Sequence, residues 1–190
     1  MIGIGGYSAG FRCYVPFQNQ YLPAFVTAGH GVTSNTVKDS TNNTQIGYVT
    51  NLQFSGSVDA CVVAFSPSSD MSNVTYYGND IITGSNYTTS IATNTLIFKE
   101  GDATGKTFGY VLSSSCTLSY GGTSITDLIK SDCYIQGGDS GGIMYTMING
   151  NNVVVGITAA FGYDYSAQYP FRSYFCQAKN IVSAFGIIPY

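Results

Sequence analysis

The 190-residue sequence has little charge, a single histidine, no tryptophan and no long apolar run. Only 9% of its residues are charged and the formal net charge is −3, so the chain offers no basic surface for a nucleic-acid backbone or an anionic membrane. No segment approaches the roughly 18 apolar residues that a membrane-spanning helix needs. We therefore expect neither a nucleic-acid-binding protein nor a membrane protein.

The cysteine and histidine content limits the possible metal and disulfide sites. With one histidine and no C-x-x-C motif, the sequence predicts no metal site and no cofactor. Five cysteines could form two disulfides and one free thiol in fifteen ways, and five buried thiols are the alternative. The cysteines are Cys13, Cys61, Cys116, Cys133 and Cys176. Disulfides, low charge and many Ser, Thr and Asn residues favour a secreted protein, and the N-terminal stretch is typical of a mature form.

Short apolar runs bounded by turn residues recur along the whole chain and predict an all-β sandwich or barrel. The sequences YGGT at 120–123 and INGNN at 148–152 predict hairpin turns. Only CQAKNIVSAFG, at 176–186, has helical spacing, with Gly186 as its C-terminal stop. The length suits one compact domain or two small barrels that need no partner to fold, so we expect a monomer.

The strongest chemical signal is IQGGDSGG at residues 135–142. Glycines on both sides of Ser140 let the backbone turn tightly and expose the hydroxyl together with neighbouring N–H groups. That arrangement is typical of a nucleophile beside an oxyanion hole. An ordinary Gly-Asp-Ser-Gly turn is the alternative interpretation.

Two further motifs could supply the groups that activate this serine. TAGHG at 27–31 follows the apolar run AFV, which places His30 at the end of a buried strand. SVDACVVAF at 57–65 would draw Asp59 inside, where a carboxylate must be hydrogen-bonded or paired. A structural histidine and a capping aspartate are the alternatives. The order His, Asp, Ser is that of chymotrypsin and differs from subtilisin and the α/β-hydrolases.

These motifs resemble the small bacterial branch of the chymotrypsin-like serine proteases, the α-lytic protease and Streptomyces protease group, over nearly the whole chain. IGGYSAGFRCYVPF resembles that group's opening strand, VTAGHG its His box and KEGDATG its entry into the second barrel. IQGGDSGG resembles its Ser box, VVGITAAF its substrate-binding strand and SYFCQAKNIVSAFG its closing helix. The resemblance implies two six-stranded antiparallel barrels, at residues 1–88 and 89–190, with the active site between them.

The resemblance also implies an activity, that of a secreted serine endopeptidase acting on a peptide or protein. Ser140 would be the nucleophile, His30 the general base and Asp59 the residue that orients it, while the N–H groups of Gly138 and Ser140 form the oxyanion hole. Activity should then rise with pH over roughly pH 6–7, where an imidazole loses its proton. An ion pair between Lys99 and the carboxylate of Asp139 is implied as well.

Several positions depart from the family pattern. Gly31 follows the catalytic histidine where the family has a cysteine bridged to the preceding strand, so that bridge is absent although Cys13 remains. Ala159 stands where a serine usually supports the triad aspartate, which removes one hydrogen bond. Cys116 and Cys133 lie on runs that could pair across YGGT, and they are the candidate disulfide.

The residues that would contact substrate predict cleavage after small or apolar side chains. Tyr134 replaces the acid that a preference for Lys or Arg requires, Thr158 replaces the histidine of glutamate-specific relatives, and Phe161 would narrow the pocket or line it with aromatic surface. The substrate-binding set is Tyr134, Ile135, Gln136, Thr158, Ala159, Ala160 and Phe161. An inactive homologue that serves as a binding module, and an esterase using the same triad, are the alternative functions.

Overall fold

The structure is a computed structural model that describes residues 3–4, 6–67 and 69–190. The described part contains fifteen strands and one helix. The strands are β1 (Gly3–Ile4), β2 (Tyr7–Ser8), β3 (Arg12–Phe17), β4 (Gln20–Thr27), β5 (Thr36–Lys38), β6 (Gln45–Ser55), β7 (Val58–Phe65), β8 (Ile82–Tyr87), β9 (Leu96–Gly101), β10 (Gly105–Tyr120), β11 (Thr123–Ser131), β12 (Ile143–Ile148), β13 (Asn151–Tyr163), β14 (Phe171–Gln177) and β15 (Ile188–Pro189), and the helix is α1 (Ala178–Phe185).

Five strands of the first half of the chain and the C-terminal strand β15 form a six-stranded antiparallel sheet in the order β15-β3-β4-β7-β6-β5. Its central strand β7 alternates between two cores, because successive side chains point to opposite faces of a strand. Ala60 and Val62 join the main core shared with the second sheet, whereas Cys61 and Val63 fill a smaller core of the first sheet. This alternation turns Asp59 toward the His30 side of the strand.

The second half closes into a ring of six antiparallel strands, β12-β9-β10-β11-β14-β13, since β12 also pairs with β13. The predicted all-β fold with a C-terminal helix is confirmed. A seventh strand, β8, pairs in parallel with β13 at Asn152 and Ile82. It joins the second sheet although it precedes residue 88, where the sequence placed the domain boundary; the division into 1–88 and 89–190 remains a prediction.

Both predicted hairpins and the predicted helix are present. Gly121 and Gly122 form the turn between β10 and β11 with φ of 56° and 77°, a left-handed conformation that glycine adopts without strain. Helix α1 ends at Phe185 and is capped by Gly186, whose φ is 63° and whose N–H donates to the carbonyl of Val182. No helix in the described part is long and apolar enough to cross a membrane.

The predicted disulfide between Cys116 and Cys133 is wrong, because all five cysteines are free thiols. Cys116 pairs with Leu128 in the β10–β11 ladder, whereas Cys133 lies against Gly109, seven residues earlier on β10. At about 3.3 Å per residue along a strand the two cysteines are roughly 20 Å apart. A disulfide needs Cα atoms within about 7 Å of each other.

A network of charges ties the loop before β8 to the second barrel. Tyr145 donates to Asp80 at 2.6 Å, Lys106 also contacts that carboxylate, and the buried Glu100 accepts the N–H groups of Tyr77 and Gly78 at 2.9 and 3.0 Å. Burial acts to raise the pKa of Asp80, but the hydrogen bonds from Lys106 and Tyr145 and the charge of Lys106 outweigh it, and the pKa lies below its ordinary 3.8. The carboxylate of Asp80 therefore stabilises the folded state.

Candidate active site

A chain of hydrogen bonds connects the three residues that the sequence singled out for catalysis. His30 follows β4, Asp59 lies on β7 and Ser140 comes from the loop before β12. Nδ1 of His30 is 2.7 Å from Oδ2 of Asp59, and Nε2 is 3.2 Å from Oγ of Ser140. Because Nδ1 keeps its proton and donates a hydrogen bond to the carboxylate, Nε2 carries the free lone pair that can take the hydroxyl proton.

Asp59 is completely buried, and both of its oxygens are fully engaged. Oδ1 accepts the backbone N–H groups of Gly29 at 2.9 Å and of His30 at 2.8 Å. A side chain at Gly29 would not fit, since a Cβ there would lie 2.6 Å from the carbonyl oxygen of Gln53. These bonds satisfy the buried charge and fix the carboxylate relative to the imidazole.

Tyr120, at the end of β10, is a functional candidate that the sequence did not reveal. Its hydroxyl donates to Oδ2 of Asp59 at 2.6 Å, and its ring meets the imidazole of His30 edge to face at a centroid distance of 5.8 Å. Burial, followed by the charge of Asp59, raises the pKa of Tyr120, so the phenol stays protonated. In the sequence this residue was visible only as part of the YGGT turn.

The backbone around Ser140 requires glycine at two positions. Gly138 has φ of 102°, and a Cβ there would approach Cβ of Ala103 at 3.0 Å. Gly141 has φ of 84°, and its Cβ would lie 2.4 Å from the carbonyl oxygen of Ser8. No acceptor in the described part of the chain takes the N–H of Gly138 or of Ser140. Both donors are thus available to an oxyanion.

Asp139 anchors this loop from beneath. It is completely buried and forms the predicted ion pair with the equally buried Lys99, at 3.1 Å between Nζ and Oδ2. Its oxygens also accept the N–H groups of Ala103 at 3.1 Å, Thr104 at 3.0 Å and Gln136 at 3.0 Å. The carboxylate therefore connects β9, the turn after β9 and the loop that carries Ser140.

Ser8 is a second residue that the sequence did not reveal. Its N–H donates to the carbonyl of Ser140 at 2.7 Å, and its hydroxyl donates to the carbonyl of Gly138 at 2.8 Å. The same hydroxyl accepts the N–H of Asp102 at 2.7 Å. The strand β2 near the N-terminus thereby holds both residues of the candidate oxyanion hole.

Tyr7 occupies the space beside Gly31, where the family resemblance implied a missing disulfide. A Cβ at Gly31 would lie 2.0 Å from the Tyr7 ring, and that ring packs edge to face on His30 at 5.7 Å. Cys13, which the sequence linked to the lost bridge, instead pairs with Ala24 in the core. A tyrosine side chain thus takes the place of a covalent link next to the histidine.

The predicted substrate-contacting residues lie on two walls joined by aromatic side chains. Tyr134 is 54% exposed and Phe161 is 46% exposed, and both rings contact Phe171 of β14, at 5.4 and 6.1 Å between centroids. Phe171 was not identified from the sequence. Ile135, Thr158 and Ala159 are buried, Ala160 is half-buried, and Gln136 donates from its side chain to the carbonyl of Ala103.

Strand β13, which carries Thr158, Ala159, Ala160 and Phe161 of the candidate substrate-binding set, is attached directly to the loop of Ser140. The carbonyl of Thr158 accepts the N–H of Gly141 at 2.8 Å, and the N–H of Thr158 donates to the carbonyl of Gly142 at 2.8 Å. The buried Thr158 hydroxyl has no hydrogen-bond partner in the described residues. No group of three or more His, Cys, Asp and Glu side chains in the described ranges is placed to hold a metal ion.

No protein-family model matches the chain. Its structure is similar to that of a glutamic acid-specific serine protease, with a TM-score of 0.77 and 23% identity over 97% of this chain and 93% of that one. It is also similar to Thermobifida fusca protease A (TM-score 0.75, 23% identity, 96% and 90% of the chains). A third similar structure is Cellulomonas bogoriensis chymotrypsin (TM-score 0.75, 19% identity, 100% and 97%). The chain therefore has the fold of the bacterial chymotrypsin-like serine proteases.

Proposed function

We propose that the protein is a serine endopeptidase in which Ser140, His30 and Asp59 form the catalytic triad. The observation that carries the proposal is the hydrogen-bond chain from buried Asp59 through His30 to Ser140, beside two N–H groups without a partner in the described residues. A histidine in a purely structural role would not need its Nε2 within hydrogen-bond distance of a serine in such a loop.

The reaction proceeds by acyl transfer in two halves. As Nε2 of His30 takes the hydroxyl proton, Oγ of Ser140 attacks the scissile carbonyl, and the oxyanion is bound by the N–H groups of Gly138 and Ser140. Collapse breaks the C–N bond, and His30 returns the proton to the leaving amine. Water then attacks the acyl-enzyme by the same route, releasing the acid and regenerating Ser140. The chemistry requires no cofactor.

The aromatic contacts support a preference for small side chains before the cleaved bond. Phe171 bridges the wall that contains Tyr134 and the wall that contains Phe161, so rings of the chain itself occupy the space between them. A large substrate side chain would have to displace them. The stretch from Tyr134 to Gly138 contains no acidic residue, which disfavours recognition of Lys or Arg.

A peptide library tests both parts of the proposal. The wild-type protein should cleave after Gly and Ala, and Ser140→Ala should cleave nothing. Phe171→Ala should extend cleavage to larger apolar residues, whereas Phe108→Ala, which removes an equally large but 67% exposed ring elsewhere on the second barrel, should leave the preference unchanged. Cleavage mainly after Arg or Glu would refute the pocket assignment, and hydrolysis of simple esters without peptide cleavage would refute the endopeptidase.

We infer a secreted protein that acts as a monomer on peptides or proteins, with a first domain at residues 1–88 and a second at 89–190. The low charge and the polar, Ser- and Thr-rich composition support an extracellular setting. Gel filtration of the purified chain tests the monomer directly.

A further inference from the structure

Tyr120 of the second barrel donates a hydrogen bond from its phenol to Asp59 of the first barrel. Its oxygen lies 2.6 Å from Oδ2 of Asp59, the same oxygen that receives Nδ1 of His30 at 2.7 Å. Position 159, from which the family resemblance implied a supporting hydroxyl, carries only the methyl group of a buried alanine. His30 and Tyr120 are therefore the side chains that donate to Oδ2 in the described part of the chain.

The hairpin that carries Tyr120 is fixed against the first barrel. The N–H of Thr126 donates to the carbonyl of Gly56 at 2.7 Å, and a Cβ at Gly121 would lie 3.2 Å from the Phe54 ring. The Tyr120 ring itself contacts Phe54 at 5.4 Å between centroids. These contacts keep the phenol oxygen at the carboxylate without a contribution from substrate.

We propose that Tyr120 is the positioning residue of the triad, doing from the β10–β11 hairpin what a hydroxyl at position 159 would otherwise do. This inference rests on the proposed function. The phenol holds the carboxylate plane so that Oδ2 stays in line with Nδ1, and it withdraws charge from that oxygen. Without it, the carboxylate of Asp59 would be held by the N–H groups on Oδ1 and by Nδ1 of His30 alone, and its more negative Oδ2 would bind the imidazolium form of His30 more strongly.

The pH dependence follows from the groups around the pair. In the described residues the titratable side chains packed on His30 and Asp59 are Tyr7 of β2, Tyr120 of β10 and Cys176 of β14, whose Sγ accepts the N–H of Asp59 at 3.4 Å. Burial raises the pKa of Cys176 to about 12 and also raises that of Tyr120. Cys176 and Tyr120 therefore both keep their protons in the neutral pH range.

The test compares kcat, KM and the pH profile of kcat/KM for the wild type and Tyr120→Phe, which keeps the ring and its packing. We expect kcat to fall roughly tenfold, as for a lost hydrogen bond to a charged group, with KM within about twofold. We expect the acid limb of the profile to move to higher pH, because the imidazolium is stabilised. Tyr145→Phe is the matched control: it also removes a 2.6 Å bond from a tyrosine to an aspartate, but away from the site, and it should leave the profile unchanged.

The outcomes separate this inference from the proposed function. A wild type that cleaves peptides and a folded Tyr120→Phe with unaltered kcat and pH profile overturn the role of Tyr120 alone; an inactive wild type overturns the proposed function. Proton NMR of the wild type needs no variant, so it tests the contact even if Tyr120→Phe does not fold. It should show a slowly exchanging Tyr120 hydroxyl with a nuclear Overhauser contact to the His30 Nδ1 proton, and absence of that contact also overturns the assignment.

Discussion

The buried ion pair beneath the nucleophile makes Lys99→Met a sharp perturbation. Lys99 and Asp139 both have no solvent exposure, and their charges are 3.1 Å apart. Methionine has nearly the volume of the lysine stem, so the substitution removes the charge and leaves the packing almost intact. The loss of stability then measures the cost of leaving the carboxylate of Asp139 buried without its cation.

The contacts of Asp139 determine the size of the effect. Removing one partner of a buried pair costs about 3–5 kcal/mol, because the other charge stays buried without compensation. Asp139 retains the N–H groups of Ala103, Thr104 and Gln136, so the low end of that range applies. At about 2–4 °C per kcal/mol for a chain of this size, a loss of about 3 kcal/mol lowers Tm by about 6–12 °C.

Urea unfolding and peptide hydrolysis measure the two consequences of Lys99→Met. We expect a loss of stability of about 3 kcal/mol. We also expect a fall in kcat of up to about 10²-fold, because the loop that Asp139 anchors carries the N–H of Gly138 and would be displaced. The double variant Lys99→Met/Asp139→Asn, which buries no charge, should recover most of the lost stability. Stability within 1 kcal/mol of the wild type in Lys99→Met, with unchanged kcat, would show that the pair anchors nothing.

Three other predictions concern the packing beside His30, the cysteines and the carboxylate of Asp80. Gly31→Ala should destabilise the protein by about 1–3 kcal/mol through its overlap with Tyr7, and Tyr7→Ala should relieve that cost in a double-mutant cycle; additive effects would contradict the contact. Without reductant, five thiols should react with Ellman's reagent after unfolding, but only the half-buried Cys116 should react readily in the native state; three or fewer thiols after unfolding would reveal a disulfide. Because the pKa of Asp80 is lowered from 3.8, its stabilisation is present above that pH and lost as pH falls through the lowered value, so Asp80→Asn should be less stable than wild type at pH 7, with a difference that shrinks below pH 4 in urea titrations.

Local patterns predicted much of the fold because they need only neighbouring residues to act. The YGGT and INGNN turns and the closing helix depend on glycine conformations and side-chain periodicity, and all three form as predicted. The pairing of Cys116 and Cys133 failed because it depended on the register of two long strands. A ladder with several register shifts is not visible in the sequence.

The parts of the site that the sequence did not reveal are long-range contacts. Tyr120 is 61 residues from Asp59, and Ser8 is 130 residues from Gly138, so neither lies within a motif that names its partner. Phe171 likewise reaches Phe161 only once β14 pairs with β13, and Tyr134 only once β14 pairs with β11. The Ser and His motifs could be recognised because the chemistry itself requires their glycines and small residues side by side in the chain.

Covalent labelling with diisopropyl fluorophosphate tests the nucleophile most directly. Intact-protein and peptide mass spectrometry of the labelled wild type should find one phosphoryl group, attached to Ser140, and activity should disappear in proportion to the label. Ser140→Ala should take up none. A wild-type protein that remains unlabelled, or that carries the label elsewhere while Ser140→Ala still cleaves peptides, would contradict the assignment of Ser140, His30 and Asp59 as a catalytic triad.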